Sequence, residues 1–230
     1  VIDNKAEKYN SVSPYIYCLN NPIVFVDPDG NEVWIAYKVY DNRGRSSVQE
    51  VQYKNGNLYS KDGSKYKGNN SYVNKVASHL NKLRTDDGVL KDRLSTLETS
   101  KQKHTIQSTQ FKNEGNSNSP LSKSDDEKGI PTGSTTKYNP DNEQTATDNK
   151  RSPEASLAHE LLGHGYDSDQ GTTDYSETEN GMPMYEVNAV NIENRVRAAN
   201  GEKKRTTYGE KPIPAKLLDD THKKKDEKKK

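Results

Sequence analysis

Two imidazoles and a carboxylate fall within six residues of this chain, in the string His159-Glu160-Leu161-Leu162-Gly163-His164. Imidazole is a common zinc ligand, and a carboxylate beside a ligand that does not itself bind the ion can serve as a general base. The frequent form of such a segment is H-E-x-x-H, with two histidines four apart on one face of an α-helix. Here the second histidine comes five positions after the first. At about 100° per residue, a spacing of four leaves two side chains roughly 40° apart, whereas five leaves them roughly 140° apart. A regular α-helix would splay His159 and His164. A one-residue π-bulge removes the mismatch. Gly163 stands where the helix must widen, and glycine tolerates unusual dihedrals. The pattern predicts a Zn²⁺ site on a bulged helix.

The flanking residues suit that helix. Ser152 can cap its start, Pro153 fits the first helical position, and Glu154 complements the positive end of the dipole. Ala155, Leu157, Ala158, Leu161 and Leu162 supply an apolar face, and Gly165 reads as the stop. A catalytic zinc needs a third protein ligand and an open position for water. The next periodic segment, residues 184–197, carries Glu186, Ala189 and Glu193 on one side. Glu186 is the expected third ligand and Glu193 the fallback. The polar loop from Gly165 to Pro183 reverses the chain between the two helices. Zinc lowers the pKa of its water toward neutrality, Glu160 takes the proton, and a further donor steadies the oxyanion. Tyr166, Tyr175, Tyr138 and Arg195 are the candidates for that donor, and the sequence does not choose among them. Asp167 is a candidate to orient a ligand histidine through its other nitrogen, although it also reads as a turn or cap residue.

The rest of the chain reads as the scaffold. Residues 33–40 alternate and are rich in β-formers. Residues 48–53 and 58–60 flank Asn55-Gly56, a strong hairpin signal. From Ser71 the period turns helical, with stripes at Tyr72, Val76, Leu80 and Leu83, then at Leu90, Leu94 and Leu97. Residues 105–111 return to strand. Residues 113–128 read as a loose polar loop. Residues 134–138 read as an edge strand, with Ser134, Thr136 and Tyr138 expected to hold a substrate backbone by β-augmentation. The class is α+β, a small and mostly antiparallel sheet packed by helices. His79 and His104 stand alone and read as structural or exposed. His222 lies in a Lys-rich tail, residues 211–230, expected to be disordered and solvated.

Composition bounds the rest. Formal net charge is +1 over 230 residues, so no general pull toward nucleic acid is expected. Leu, Ile, Val and Phe make up only about a sixth of the chain, below the roughly 20% that flags disorder when charge is also high. That predicts a modest core with flexible segments. No apolar run approaches the roughly 20 residues of a membrane span. Cys18 is the sole cysteine, which rules out an intrachain disulfide and a cysteine-based zinc site. The first residue is Val1, consistent with a piece of a longer polypeptide.

Three resemblances add to this. The string H-E-L-L-G-H is similar to the signature of the dipeptidyl peptidase III family, in which two histidines and a distant glutamate hold zinc. It covers six residues, and it implies a gluzincin-like geometry rather than that family's substrate. Residues 13–30, Ser-Pro-Tyr-Ile-Tyr-Cys-Leu-Asn-Asn-Pro-Ile-Val-Phe-Val-Asp-Pro-Asp-Gly, resemble the terminal signature of the RHS-repeat-associated core. In RHS polymorphic toxins that signature ends a carrier, and a variable toxin follows it. Asn31 stands where Leu is usual after the Asp-Pro-x-Gly element. The order of strands around 105–111 and 134–138, then Asn139-Pro140, a Ser-Pro and the histidine helix, is similar to the effector metallopeptidases of family M91. Those carry H-E-x-x-H, without the extra residue.

Together these imply a carrier remnant over 1–30, a zinc metallopeptidase toxin domain over 31–210 and the tail. The implied partners are a protein substrate in a target cell, an upstream RHS carrier and a cognate immunity protein. The implied setting is a bacterial effector, secreted or delivered into that cell. Two rival readings stand beside it: an RHS tip acting on nucleic acid, and a non-catalytic tip with a structural metal.

Overall fold

The computed structural model describes residues 32–109, 114–142 and 151–219. Six strands form one sheet in the order β3-β2-β1-β4-β6-β5. Strand β1 (Val33–Tyr40) runs antiparallel to β2 (Ser46–Lys54), which pairs with β3 (Asn57–Tyr59). The turn between β2 and β3 carries Asn55 at φ 50° and Gly56 at φ 77°. Two successive left-handed residues are what a two-residue hairpin turn needs to match strand twist. Strands β4 (His104–Ser108) and β6 (Ser134–Tyr138) lie parallel to β1 and to each other, and β5 (Ser117–Pro120) pairs antiparallel with β6. The α+β class holds. The sheet is mixed: three ladders are antiparallel, and its central strands are parallel.

Register sorts the side chains. Val33 and Ile35 face across to Tyr53 and Val51 on one side and to His104 and Ile106 on the other, and these in turn to Ser134 and Thr136. All of them are buried. Alternation therefore puts these side chains on one face, apolar at the β1–β2 end and polar toward β5, while Trp34 and Ala36 are buried on the other. Helices α1 (Ser71–Asp86) and α2 (Gly88–Thr99) lay Val73, Val76, Leu80, Leu83, Leu90 and Leu94 on the apolar part. Asp87 separates them: its extended backbone ends α1, and its carboxylate accepts from the Val89 and Leu90 amides to start α2.

Two expectations fail at the β5 end. Residues 113–128 are not a loose loop throughout, since they contain β5 and a short helix α3 (Lys123–Asp126). In consequence β6 is not an edge strand. Ser134, Thr136 and Tyr138 are fully buried on the helix side, so they do not offer themselves to a substrate. The Ser134 hydroxyl contacts His104 and accepts from Asn118, Thr136 accepts from Asn118, and the Tyr138 hydroxyl pairs with His79.

A single helical rod follows: α4 (Pro153–Leu157), a π-helical segment (Ala158–Gly165) and α5 (Tyr166–Gln170). Ser152 caps it by accepting from the Ala155 amide, and Pro153 occupies its first turn. The rod does not stop at Gly165, as the sequence suggested. It ends at Gly171, where φ is +62°. Gly165 is needed for another reason: a Cβ there would sit 3.1 Å from Ser134 Oγ and 3.3 Å from Asn118 Nδ2. Helix α6 (Met184–Asn200) returns alongside the rod and ends at Gly201. Residues 211–219, assigned above to the tail, are built in. Strand β8 (Lys211–Pro212) pairs with β7 (Thr207–Tyr208), and Ile213 packs in a small core with Met182, Val187 and Val190. The carrier-like residues 1–30 and the tail beyond 219, including His222, lie outside the described residues.

Candidate metal centre

The expected bulge is a full π-helical segment of eight residues. Bonding from i to i+5 brings residues five apart onto one face. The rings of His159 and His164 accordingly lie 4.9 Å apart between centroids, at 83° to each other. Gly163 works differently from the dihedral argument above. A Cβ at that position would come within 2.8 Å of Ala189 Cβ and 2.9 Å of its Cα. Glycine here allows α6 to close on the π segment, and Ala189 is its counterpart.

That close approach brings Glu186, one turn before Ala189, to the histidines. Its Oε2 lies 3.3 Å from Nε2 of His159 and 3.3 Å from Nε2 of His164, and this buried oxygen has no hydrogen-bond partner. Three lone-pair donors thus converge with one of them orphaned. A tetrahedron with arms of about 2.1 Å has edges of about 3.4 Å, so the two separations of 3.3 Å match the edges that a zinc site would have. Glu160 also brings an oxygen to the group, within 4.8 Å of a nitrogen from each histidine. Among the carboxylates, Glu186 fits the third corner better because it contacts both rings directly. Burial opposes ionisation of Glu186, but its contacts with His159 and His164 outweigh this and hold the carboxyl well below its ordinary range.

Behind His159 stands Glu193, with Oε2 3.2 Å from Nδ1 though without hydrogen-bond alignment. Glu193 is itself sealed from solvent and ringed by cations: Arg197 Nε at 2.8 Å, Arg205 Nη1 at 2.7 Å and Arg151 Nη2 at 3.1 Å. Burial again opposes its charge. Arg151, His159 and Arg205 overcome that, and the carboxyl is held far below the usual range. A carboxylate that accepts from the outer nitrogen of a metal-binding imidazole orients the ring and raises its basicity, and Glu193 stands within reach of that role without the alignment.

Other expected residues lie elsewhere. Tyr166, one of the oxyanion candidates, turns to α2, where the Arg93 guanidinium lies 4.2 Å from its ring centroid. Asp167 pairs with the same Arg93 at 3.3 Å rather than accepting from a histidine nitrogen. The Tyr175 hydroxyl donates to Asp126, and Arg195 pairs with Asp87 and Asp219.

Two tyrosines at the centre escaped the sequence reading. Tyr208 stacks parallel to His159, 3° between planes and 6.0 Å between centroids. Burial, and then the charge of Glu186, raises its phenol, so it stays a proton donor. Its strand is clamped to α6 by reciprocal bonds between Asn194 and Arg205, and Arg205 also covers the Tyr208 ring. Tyr185 sets its ring edge-on to His164 at 5.7 Å. Tyr185 had a signal, adjacency to Glu186. Tyr208, in a two-residue strand, had none.

Comparison with known proteins bears on this geometry. A family model described as Peptidase M91, effector protein, matches residues 60–208, well over half of the chain. Neither the curated proteins nor the solved structures gave a match. The matched span runs from the end of the β2–β3 hairpin to Tyr208 and encloses every residue of the metal centre, and on that match the chain belongs to the M91 peptidase family of effector proteins.

Proposed function

We propose that this chain is a zinc-dependent peptidase acting on proteins inside a target cell, and that it is the toxin portion of an RHS-type polymorphic effector. The observation that carries the chemistry is the orphaned Glu186 Oε2, poised 3.3 Å from both imidazole Nε2 atoms. His159, His164 and Glu186 are the zinc ligands in this reading. Peptidases of the family are zinc-dependent, and its members are delivered into host cells. The carrier assignment rests on residues 13–30 and implies a cognate immunity protein.

Bound zinc would supply a Lewis acid for the scissile carbonyl and an acidified water. Glu160, 7% exposed, accepts the proton from the attacking water and returns it to the leaving amine. Tyr208, a protonated phenol beside Glu186, donates to the oxyanion as it develops, in place of Tyr166. The substrate backbone lies extended along β5 instead of β6. Strand β5 pairs on one side only with β6 among the described residues, and its Asn118 abuts the rod at Gly165.

The test is Glu160→Gln in the full chain. Loss of about 10²–10⁴-fold in peptidase rate and loss of toxicity, with zinc content and fold retained, is the expected outcome. Toxicity that survives the change would instead favour action on nucleic acid. A site with four protein ligands and no exchangeable water would favour a structural metal.

A further inference from the structure

The π segment is held from outside by a side chain far away in sequence. Arg93 on α2 donates from Nη1 to the carbonyl of Leu162 at 2.7 Å, and the same nitrogen lies 3.3 Å from Asp167 Oδ1. Its guanidinium lies over the Tyr166 ring. One group therefore grips residue 162 before His164 and residues 166 and 167 after it. Those three residues bracket the widest part of the rod, where Gly163 meets Ala189.

π-helical geometry is rare, and the ordinary α form would splay residues five apart by roughly 140°. Something must favour the wide form at this point. The bond to Leu162 is of the charged kind and partly buried, with the Arg93 side chain itself 23% exposed. Neither histidine touches Arg93 in any contact described above, so it acts through the backbone. We infer that Arg93 is a positioning residue for His164, a latch that keeps the rod wide so that both imidazoles share one face. The link to zinc rests on the ligand reading proposed above; the link to helix geometry does not.

Arg93→Met keeps most of the packing on Tyr166 and removes the donor, whereas Arg93→Lys keeps one donor. Zinc affinity by chelator competition, the visible spectrum of the Co²⁺-substituted protein, and amide hydrogen exchange of the metal-free full chain would be compared with wild type. Arg93→Met should weaken zinc binding by about 10–100-fold, alter the Co²⁺ bands and speed exchange in residues 159–168 with α1 unaffected. Arg93→Lys should recover much of the loss. Affinity within about two-fold of wild type with unchanged exchange over 159–168 would overturn the inference, as would acceleration spread evenly over α1 and α2. Should Arg93→Met not fold, Asp167→Asn, which frees the guanidinium, must show the same losses in smaller measure; no change there would also overturn it. If wild type itself binds no zinc, the ligand reading fails, and the exchange data alone decide on the latch.

Discussion

His104 and His159 are both sealed from water, at 0% and 2% exposure, and both meet a carboxylate, yet they end differently. Around His104 the polar accounting closes. Nδ1 meets Ser134 Oγ at 3.0 Å, Nε2 meets Asp169 Oδ1 at 2.9 Å, and Ser100 donates to the same aspartate. Around His159 it does not close. Nδ1 faces Glu193 out of alignment, and Nε2 faces an oxygen that no donor satisfies. Buried polar groups are nearly always paired, because leaving one unpaired costs about 1–3 kcal/mol. The first histidine ties strands β4 and β6 to the rod. The second leaves its own Nδ1 and the facing Glu186 oxygen without an aligned partner. Burial and charge alone would not separate them; the unmet partner does.

The sharpest way to break this contrast is to delete each ring. His159→Ala should abolish zinc binding by metal analysis, whereas His104→Ala should leave one zinc per chain and cost about 1–3 kcal/mol in denaturant unfolding, as Ser134 and Asp169 lose their partner. Equal loss of zinc in both variants would erase the distinction. Next comes Glu193→Gln, which leaves Arg151, Arg197 and Arg205 without their shared counter-charge. About 3–5 kcal/mol of stability should go, with zinc affinity lowered about 10–100-fold. Unaltered zinc affinity in folded protein would separate Glu193 from the metal centre.

The smallest effect is in acid. Burial raises the Asp169 carboxyl, but His104, Ser100 and Gln170 outweigh that and hold it below its ordinary 3.8. A depressed carboxyl contributes stability that is present above its unfolded value and is lost as pH falls through the folded one. Stability below pH 3.8 should therefore decline less steeply in His104→Ala than in wild type, read from unfolding midpoints across that range. Parallel curves would mean that His104 does not support the carboxylate.

Local signals carried the parts of the fold that local physics decides. The alternation of β1, the Asn55-Gly56 turn, the Ser152-Pro153 start and the need for a widened helix were all legible, because each is set by a few adjacent residues. Strand β5 was not. Its Ser-Asn-Ser-Pro has no apolar rhythm, and its pairing depends on β6. Tyr166 misled by proximity: two residues beyond His164, a helix has already turned it roughly 200° away. Tyr208 reaches the centre through Asn194 and Arg205, contacts that only tertiary structure creates. Gly163 was singled out correctly, but its cause lay on α6.

The eight-residue π segment has a consequence beyond the two imidazoles. A residue inserted into an α-helix would twist everything downstream by about a quarter turn or more. Widening absorbs the surplus, so the later residues keep their angular phase: Gly165 still lies flat on Ser134, Asp167 still meets Arg93, and Asp169 still meets His104. Trimming the string to the commoner spacing should therefore narrow the segment to an ordinary helix while leaving those three moorings in place.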